Sequence, residues 1–531
     1  MPSAPDANES AVWRPLLVPL FRNLLIANVV SDIGNFMQNV AAAWLMVSLH
    51  AGPLYVSLIQ TASALPFFIF ALPAGALGDI VDRRKLILFS EIWMAGVAVA
   101  LFAVTVTGHM SPLWLLLLTF AFSTGDAAQS PAWRAVLPEL VPPGDLAPAS
   151  ALNGIEFNLA RAIGPALGGV LIAVAGISTA FFLNAVSNFG SIFVLARWKR
   201  HVRKAASPPE SLTGATAAGL RYVRFSPALR SLLLRSGIVM FFASGLLALL
   251  PSVAHNANKS PIGYGVLLGC FGCGGVLGAL VMQKARARWS AEVVISSGIL
   301  IFGTMTVGAG LLHFLPALGL TMLVGGASWI VFVSLFNVIV LTQTPGWVQA
   351  RVLAVAMLVF QGAMAAGSAA WGAVAVRTSI HVALVGAGLG TAATVLLGRY
   401  LKLPESTANL TPWVHWHIPA IPVGEQALDE AGPILVTVEY PIQLEHETEF
   451  LEAMYEYGRI RRRDGAFRWG IFRDIEKPDQ YLEIFLVDSW AEHLRQHARA
   501  TLVDRSVEER VFRYVAGRAT VHHLVYRGPE S

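Results

Sequence analysis

GALGDIVDRRK at residues 75–85 and GALVMQKARAR at residues 278–288 are two versions of one segment, separated by 203 residues. Each of the two segments follows one apolar run and precedes another. The same offset recurs along the chain in these pairs: Gly34 with Gly237, Met37 with Met240, Pro142 with Pro345, Gly164 with Gly367, Gly169 with Gly372 and Lys199 with Lys402. The chain therefore contains two similar halves.

The composition indicates that a membrane is the solvent of both halves. Hydrophobic residues make up 55% of the chain and charged residues only 13%, about half of the charged fraction of an ordinary soluble domain. A helix needs about 20 apolar residues to cross the bilayer core, and twelve such spans are predicted, six in each half. They are 21–49, 54–78, 86–107, 112–131, 154–175, 178–197, 229–252, 262–283, 292–312, 316–341, 352–376 and 380–400. Duplicated helix bundles of this kind are typical of transporters, in which two halves move around a central site.

Basic residues predict the orientation of the spans. Lysine and arginine are concentrated in the loops after even-numbered spans, whereas the opposite loops hold only Lys259 and Arg377. By the positive-inside rule, both termini are cytoplasmic, and a bacterial inner membrane is the predicted location. The N-terminus shows no cleavable signal peptide. The net charge of +5 is explained by orientation, so we predict no nucleic-acid partner.

The predicted organisation has five parts. Six-helix bundles at 1–198 and 229–402 are joined by a polar cytoplasmic linker at 199–228, and a proline-rich linker at 403–432 leads to a soluble α+β domain at 433–531. In this last part, alternating and amphipathic segments follow in the order βαββααβ, which predicts a ferredoxin-like layout. The fold class is thus an all-α membrane protein with a small cytoplasmic ferredoxin-like domain.

We predict no cofactor and no metal site. The two cysteines, Cys270 and Cys273, lie within span 8 among glycines. A redox pair normally sits at an exposed, electropositive helix start, so we interpret both cysteines as small packing residues.

The duplicated spans, the loop after span 2 and the segment NLARAIGPALGG in span 5 resemble the major facilitator superfamily. Within it, they resemble the enterobactin-exporter-like branch of transmembrane secretion effectors. The resemblance covers about residues 15–403. The loop matches the family signature at Gly75, Asp79, Arg83, Arg84 and Lys85. Ile80 and Asp82 depart from the signature, and the second copy has Met282 where the first has Asp79.

The resemblance implies a gating role for this loop. Asp79 would lie against the positive N-terminal end of span 11, and Arg83 or Arg84 would reach a carboxylate on span 4, for which Asp126 is the candidate. These contacts would hold the cytoplasmic side closed. The alternative is a positive-inside cluster without a gating role.

Span 5 contains Gly164, Pro165, Gly168 and Gly169, which match a motif that the family associates with antiporters. Proline bends a membrane helix, and glycines let a neighbouring helix approach closely. Plain packing of small residues is the alternative interpretation.

Charged residues inside spans cost about 2.5–3.5 kcal/mol each, so those present are candidates for coupling or substrate binding. Asp32 in span 1 and Arg235 in span 7 are equivalent at the 203-residue offset. The family places these spans opposite each other, which predicts an electrostatic pair across the cavity. Glu156 and Arg161 in span 5 are predicted to reach the same cavity. Asp32 and Glu156 are either proton acceptors or members of static ion pairs.

The last domain resembles antibiotic-biosynthesis-monooxygenase-like ferredoxin folds. Trp490, His493 and His497 share one helix face, a spacing that suits either metal or haem ligation or simple packing. We favour a dimerising or regulatory module without catalysis.

The sequence therefore predicts a secondary transporter, not an enzyme, that exports a small amphipathic siderophore-, antibiotic- or drug-like molecule by alternating access with proton coupling. Its predicted partners are the substrate, protons, the lipid bilayer and a second copy bound through the C-terminal domain. The alternatives are a membrane-tethered monooxygenase-like enzyme and a ligand sensor.

Overall fold

The computed structural model describes residues 13–198, 212–404, 409–411, 413 and 432–526, without the side chains of 71–72, 74–80 and 212–216. Most of the 403–432 linker and the basic stretch at 199–204 lie outside the described residues. The chain divides into two compact units. The membrane unit consists of 1–209, 233–336 and 356–403, and the C-terminal unit of 210–232, 337–355 and 404–531.

The helices follow the predicted spans. The first half forms α1 (Pro19–Ser48), α2 (Gly52–Ile80), α3 (Arg83–Val106), α4 (Pro112–Leu140), α5 (Leu146–Ala175) and α6 (Ile177–Arg197). After α7 (Leu212–Phe225), the second half forms α8 (Pro227–Asn258), α9 (Pro261–Arg286), α10 (Ala291–Leu311), α11 (Leu315–Thr342), α12 (Gln349–Arg377) and α13 (Ile380–Ala393). A 3-10 helix, Thr394–Arg399, extends α13.

Ten helices in the described part of the chain are long and apolar enough to cross a membrane. The other two helices at predicted spans are α1 and α4, which carry polar residues such as Asp32, Asn35, Asp126 and Gln129 inside their apolar sequences. The count of twelve spans therefore stays a prediction.

Local sequence signals explain where several membrane helices begin. The hydroxyls of Ser111, Ser260, Ser290 and Ser379 each accept a hydrogen bond from a backbone N–H of the first turn. Such caps satisfy donors that have no partner within the helix. Short loops with capped starts turn each helix back beside its predecessor.

The two halves use equivalent glycines to pack. Within each half, Gly164 of α5 packs on α1, and its repeat partner Gly367 of α12 packs on α8. Between the halves, Gly169 of α5 packs on α9, and its repeat partner Gly372 of α12 packs on α2. The 203-residue repeat is thus a structural repeat of the helix contacts.

The contact between α5 and α9 brings backbone against backbone. A Cβ on Gly169 would lie 2.8 Å from the carbonyl oxygen of Pro261 and 2.9 Å from Cα of Gly265. A Cβ on Gly265 would lie 2.8 Å from the carbonyl oxygen of Pro165. Contacts this close exclude any side chain at either glycine, as in other membrane helix pairs that use small residues.

The C-terminal unit contains a four-stranded antiparallel sheet. Its strands are β1 (Ile434–Pro441), β2 (Arg468–Arg473), β3 (Gln480–Val487) and β4 (Thr520–Val525), in the spatial order β2-β3-β1-β4. Helices α14 (Glu447–Asp464), α15 (Trp490–Arg499) and α16 (Leu502–Phe512) complete the predicted βαββααβ order. Its assignment to the ferredoxin-like folds stays a prediction.

One face of this sheet forms a core with the helices. Val436, Val438 and Tyr440 of β1 alternate with more exposed residues, which is the period-two pattern of a sheet with one buried face. Phe450 of α14 packs edge to face against Tyr440, with ring centroids 5.9 Å apart. The core thus lies between the sheet and its helices.

Helix α7 and the segment at 337–355 belong to the same unit as the sheet. Tyr222 packs edge to face on Trp347, with ring centroids 5.7 Å apart. Arg221 lies 3.4 Å from the Glu492 carboxylate of α15. The five predicted parts are continuous segments of the chain, whereas each of the two packed units combines several separate segments. The five-part division therefore stays a prediction.

We predict that Gly169→Ala disrupts the contact between the halves. The added methyl meets backbone atoms, which move only if α5 and α9 separate. We expect a lower midpoint of thermal unfolding in detergent and weaker transport. Gly154→Ala is the matched control, because a Cβ at Gly154 of the same helix meets nothing within 4 Å. Equal effects of both substitutions would contradict the role of the close approach.

Candidate transport cavity

The larger cavity of the membrane unit lies within the first half and has a volume of about 680 Å³. Its lining includes four carboxyl residues, one from each surrounding helix: Asp32 of α1, Glu91 of α3, Asp126 of α4 and Glu156 of α5. Arg134 is the basic residue among its lining residues, and its side chain is exposed. The cavity is therefore acidic.

Asp32 belongs to this acidic group. Its carboxyl accepts a hydrogen bond of 3.4 Å from the side-chain amide of Asn35. The carboxyl residues Glu91, Asp126 and Glu156 line the same cavity. Carboxyl groups that share a cavity cannot all carry a charge without repulsion, so this group suits the binding of a proton.

Several polar atoms around the cavity have no hydrogen-bond partner among the described residues. They include Oε2 of Glu91, Oε1 of Gln129 and Oε1 of Glu156, all of them buried. Buried polar atoms normally have partners. These atoms are thus available to water, protons or a bound molecule.

A second cavity, of about 280 Å³, lies between the two halves. It is lined by residues of α1, α2 and α5 from the first half and of α8 and α9 from the second. Phe36 and Asn39 line both cavities. The guanidinium carbon of Arg161 lies 5.8 Å from the ring centroid of Phe271, an arrangement typical of a cation-π contact.

Glu156 and Arg161 line adjoining cavities. Glu156 lines the acidic cavity, and Arg161 lines the cavity between the halves. The two residues are five apart, which is about 7.5 Å along a helix, and this rise separates them by depth. Their action at one common cavity stays a prediction.

The two cavities lie at different depths. The acidic cavity is lined by the middle of α1, the C-terminal part of α4 and the N-terminal part of α5. The cavity between the halves is lined by the N-terminal parts of α2 and α9. Beyond it, Trp44 stacks on Tyr264 with centroids 6.4 Å apart, near the close contact of Gly169 with Gly265.

The structure does not bring the predicted pair of Asp32 and Arg235 together. Arg235 is fully buried, and both of its terminal nitrogens donate to the Glu292 carboxylate of α10 at 2.7 Å. Ser296, one turn further along α10, accepts a third hydrogen bond at 3.2 Å. The equivalence in sequence fixed the depth of Arg235 but not the direction of its side chain, which points to a helix of its own half.

Arg83 pairs with Glu139 of α4 at 3.0 Å, so its carboxylate partner on this helix is Glu139 and not the predicted Asp126. Thirteen residues separate Asp126 from Glu139, or about 20 Å along the helix, and Arg83 begins α3 at the end where α4 finishes. Arg84 donates to the carbonyl oxygens of Leu195 and Ala196 at 2.8 and 2.7 Å. The two arginines therefore connect the ends of α4 and α6. The side chain of Asp79 and the surroundings of Gly75 lie outside the described part of the structure.

The predicted motif of span 5 lies at two helix contacts. A Cβ on Gly164 would lie 2.6 Å from Cβ of Phe36, and one on Gly168 would lie 3.0 Å from Cα of Met37. Gly169 faces α9, as described above. Pro165 has no N–H to bond with the carbonyl of Arg161, and that carbonyl oxygen lies 3.1 Å from the Cβ position of Gly272.

Sequence reasoning missed Glu91 and Gln129. Glu91 lies inside predicted span 3, so the cost of a charge in the membrane, which singled out Asp32, applies to it equally. Gln129 is uncharged, and its role depends on the face of α4 that it occupies. Only the packing of α3 and α4 around α1 reveals that both side chains reach the same cavity.

A second polar cluster lies in the C-terminal unit. Trp490 and His493 of α15 pack with ring centroids 5.4 Å apart, and His493 and His497 with centroids 4.6 Å apart. Burial and neighbouring histidines lower the pKa of His493 to about 3; burial and Arg461 lower that of His497 to about 4. Among the described residues, no group of three or more His, Cys, Asp or Glu side chains is arranged to hold a metal ion.

A family model described as "Transmembrane secretion effector" matches residues 10–528. The chain belongs to this family. The multidrug efflux pump Tap of Mycolicibacterium fortuitum is 28% identical over 64% of this chain and 84% of its own length. The uncharacterized MFS-type transporter YfiS of Bacillus subtilis is 29% identical over 62% of this chain and 81% of its own length. The staphyloferrin A transporter of Staphylococcus aureus is 23% identical over 48% of this chain and 64% of its own length.

Solved structures share the fold of the secretion effector. A bacterial homologue of the human lysosomal transporter Spinster, in an inward-facing and unoccupied conformation, covers 72% of this chain and 95% of its own, with 14% identity and a TM-score of 0.55. A bacterial homologue of the iron transporter ferroportin, in an inward-facing state, covers 73% of this chain and 99% of its own, with 13% identity and a TM-score of 0.58. The predicted major facilitator fold is confirmed.

The predicted class of function is confirmed as well. The secretion effector is a multi-pass membrane protein and a secondary transporter that exports small molecules. It is not an enzyme, so the alternative of a membrane-tethered monooxygenase is wrong.

We predict that Arg235 and Glu292 are energetically coupled and that Arg235 and Asp32 are not. Arg235→Gln removes a bidentate partner and leaves Glu292 uncompensated, which costs about 1.5–3 kcal/mol. Glu292→Gln should therefore lower the free energy of unfolding much less in the Arg235→Gln background than in the wild type. The effect of Asp32→Asn should be the same in both backgrounds. Thermal unfolding of the single and double variants measures both couplings. A coupling of Asp32 with Arg235 as large as that of Glu292 would contradict the observed pairing.

The lowered pKa of His493 predicts a pH dependence. The unfolded chain binds a proton below pH 6.5 that the folded domain does not bind until about pH 3. The free energy of unfolding should therefore fall on acidification, by about 1.4 kcal/mol per pH unit for this group. We expect His493→Gln to make the fall of the free energy of unfolding with pH shallower, as measured by hydrogen exchange of residues 434–525. His522→Gln, at an exposed histidine, is the control and should leave the slope unchanged. Identical slopes for wild type and His493→Gln would contradict this account.

Proposed function

We propose that this transporter exports a small, neutral or cationic amphipathic molecule in exchange for protons. The observation that carries the proposal is the acidic cavity, which brings together Asp32, Glu91, Asp126 and Glu156. The relatives described as multidrug efflux pumps support a drug-like substrate.

The carboxyl pair of Asp32 and Glu156 is the proposed proton site. A charged carboxylate is costly away from water, and here the neighbouring acids add repulsion. A proton removes both penalties, and so does a cationic or hydrogen-bonding substrate. Proton and substrate therefore compete for the same group, which is the requirement for exchange. This favours the proton-acceptor interpretation of Asp32 and Glu156 over a static ion pair.

The two cavities support an amphipathic substrate. The acidic cavity provides a polar environment, while Phe36, Tyr264 and Phe271 line the adjoining cavity with rings. Pockets of this kind orient an apolar body by a few polar groups. An anionic substrate would meet four carboxyl residues, so we expect anions to be poor substrates.

Alternating access is the proposed mechanism, with the protein in a bacterial inner membrane and both termini in the cytoplasm. In this orientation the acidic cavity faces the cytoplasm, and the contact of Gly169 with Gly265 lies toward the outside. The structure then corresponds to an inward-facing state. Transport would require this contact to open, and Gly169 supports such a rearrangement because its nearest neighbours on α9 are backbone atoms.

A gating role of the loop after α2 remains part of the proposal. Arg83 and Arg84 join the cytoplasmic ends of α4 and α6, so they would make the first half move as one body. Gly75 and Asp79 would provide the contact to α12 when the cytoplasmic side closes. Asp126 would act in the acidic cavity instead of in the gate.

A homodimer through the C-terminal domain is the proposed assembly. The sheet face opposite the helices carries apolar residues, among them Leu435, Leu482, Ile484 and Leu524. A solvated sheet face is usually polar, and apolar surface of this kind marks association sites.

The test is transport by purified protein in liposomes with an imposed pH gradient. We expect Asp32→Asn and Glu156→Gln to abolish accumulation of an amphipathic cation such as ethidium against its gradient. Exchange of labelled for unlabelled ethidium, which needs no net proton movement, should remain. Arg235→Gln combined with Glu292→Gln is the control for loss of a carboxylate outside the cavity, because the double variant leaves no unpaired charge. If both cavity variants still drive accumulation from the pH gradient, proton coupling at this pair is refuted.

A further inference from the structure

A third cavity, of about 370 Å³, lies within the C-terminal unit between the sheet and α15. Val436, Val438, Phe485 and Val521 form its apolar wall. His493 and His497 of α15 and His523 of β4 form its polar side. This volume is within the range of about 300–1,000 Å³ that is typical of pockets for organic ligands.

The three histidines form one hydrogen-bonded group. Nε2 of His493 lies 3.1 Å from Nε2 of His497 and 3.0 Å from Nε2 of His523. Nδ1 of His493 lies 3.3 Å from Oε1 of Gln496, an acceptor, so Nδ1 carries the proton of His493. Its Nε2 then offers one lone pair, which accepts from one outer imidazole at a time. As neutral rings, the outer imidazoles each have one nitrogen that accepts a hydrogen bond.

The cavity has no strong net charge to offer a ligand. Burial lowers the pKa of all three histidines, so they are neutral at physiological pH. Arg461, the buried cation of the cavity wall, lies 3.3 Å from the Glu483 carboxylate and is therefore compensated. Arg518 is exposed and remains in water. An ion that entered would lose its hydration without a partner.

Ring geometry favours an aromatic ligand. The ring centroid of His493 lies 6.2 Å from that of Phe485, and the centroid of Trp490 lies 5.5 Å from that of His523. Aromatic rings at these separations gain from edge-to-face and offset contacts. A flat ring that inserts here meets apolar side chains on one side and imidazole nitrogens on the other.

We propose that this cavity binds an uncharged aromatic small molecule that carries a hydroxyl group, and that α15 transmits its occupancy to α7. The hydroxyl donates to an acceptor nitrogen of the histidine group, and the aromatic body fills the apolar part. The site lies in the C-terminal unit and is separate from the transport cavities.

Helix α15 connects the cavity to α7. It presents His493 and His497 to the cavity, while Glu492 lies 3.4 Å from the guanidinium of Arg221 in α7. Arg499, at the end of the same helix, has its guanidinium 4.4 Å from the ring centroid of Trp347, the ring on which Tyr222 of α7 packs. A ligand that orders α15 therefore also restrains α7 and the segment around Trp347.

Photolabelling of the purified full-length protein with 4-hydroxybenzophenone, a neutral aromatic phenol at mildly acidic pH, tests the site. We expect peptides that contain His493 or His523 to be labelled. Ala519→Phe fills the cavity and should reduce this labelling about tenfold, and His523→Leu should reduce it severalfold. His522→Leu, the adjacent position on the opposite face of β4, should leave it unchanged. Hydrogen exchange of 212–225 should slow when the probe is added.

Three results would overturn the proposal. The first is labelling confined to the membrane helices. The second is labelling of the C-terminal peptides that Ala519→Phe and His523→Leu both leave intact while each variant unfolds at the wild-type temperature. The third is retention of Ni²⁺ that depends on His493 without any labelling by the phenol, which would assign the histidines to a metal. These measurements report binding directly, so they do not depend on proton-coupled export.

Discussion

The close approach of backbones at glycines is the constraint on which the membrane unit depends. Gly169 of α5 meets α9, and Gly372 of α12 meets α2, so each half contributes one glycine-bearing helix and one partner. Without Cβ atoms at these positions, the halves approach closely at two symmetric places. Space remains elsewhere between them, and the cavity lined by α1, α2, α5, α8 and α9 occupies part of it. The contact of Gly169 with Gly265 has no interlocking side chains, which suits an interface that must open.

The two halves share their packing but differ in how they hold charge. The first half collects four carboxyl residues in one cavity. The second half buries Arg235, and it balances that charge internally through Glu292. A compensated pair stabilises a bundle without offering a free group, whereas uncompensated acids are costly unless a proton or a ligand neutralises them. This difference supports our proposal that coupling is a property of the first half.

The C-terminal unit extends beyond the predicted domain because α7 and the segment around Trp347 pack on it. The pairing of Arg221 with Glu492 and the stacking of Arg499 on Trp347 fasten these pieces to α15. Each contact uses a planar guanidinium, which pairs with carboxylates and stacks on rings better than an ammonium does. These contacts join a module with its own cavity to α7, which precedes α8, and to the segment between α11 and α12. This arrangement supports the predicted regulatory role.

The sequence by itself determined the family, the positions of the helices and the strands, and the residues whose presence in a membrane needs an explanation. These follow from composition, periodicity and the 203-residue repeat, which are properties of the chain read in order. Only the tertiary structure decided which charged groups meet. Arg235 turned to Glu292, Arg83 to Glu139, and Glu91 joined Asp32, because a side chain's partner depends on the helix face it occupies and on the neighbour packed there. A repeat fixes depth in the membrane, but it leaves that rotation open.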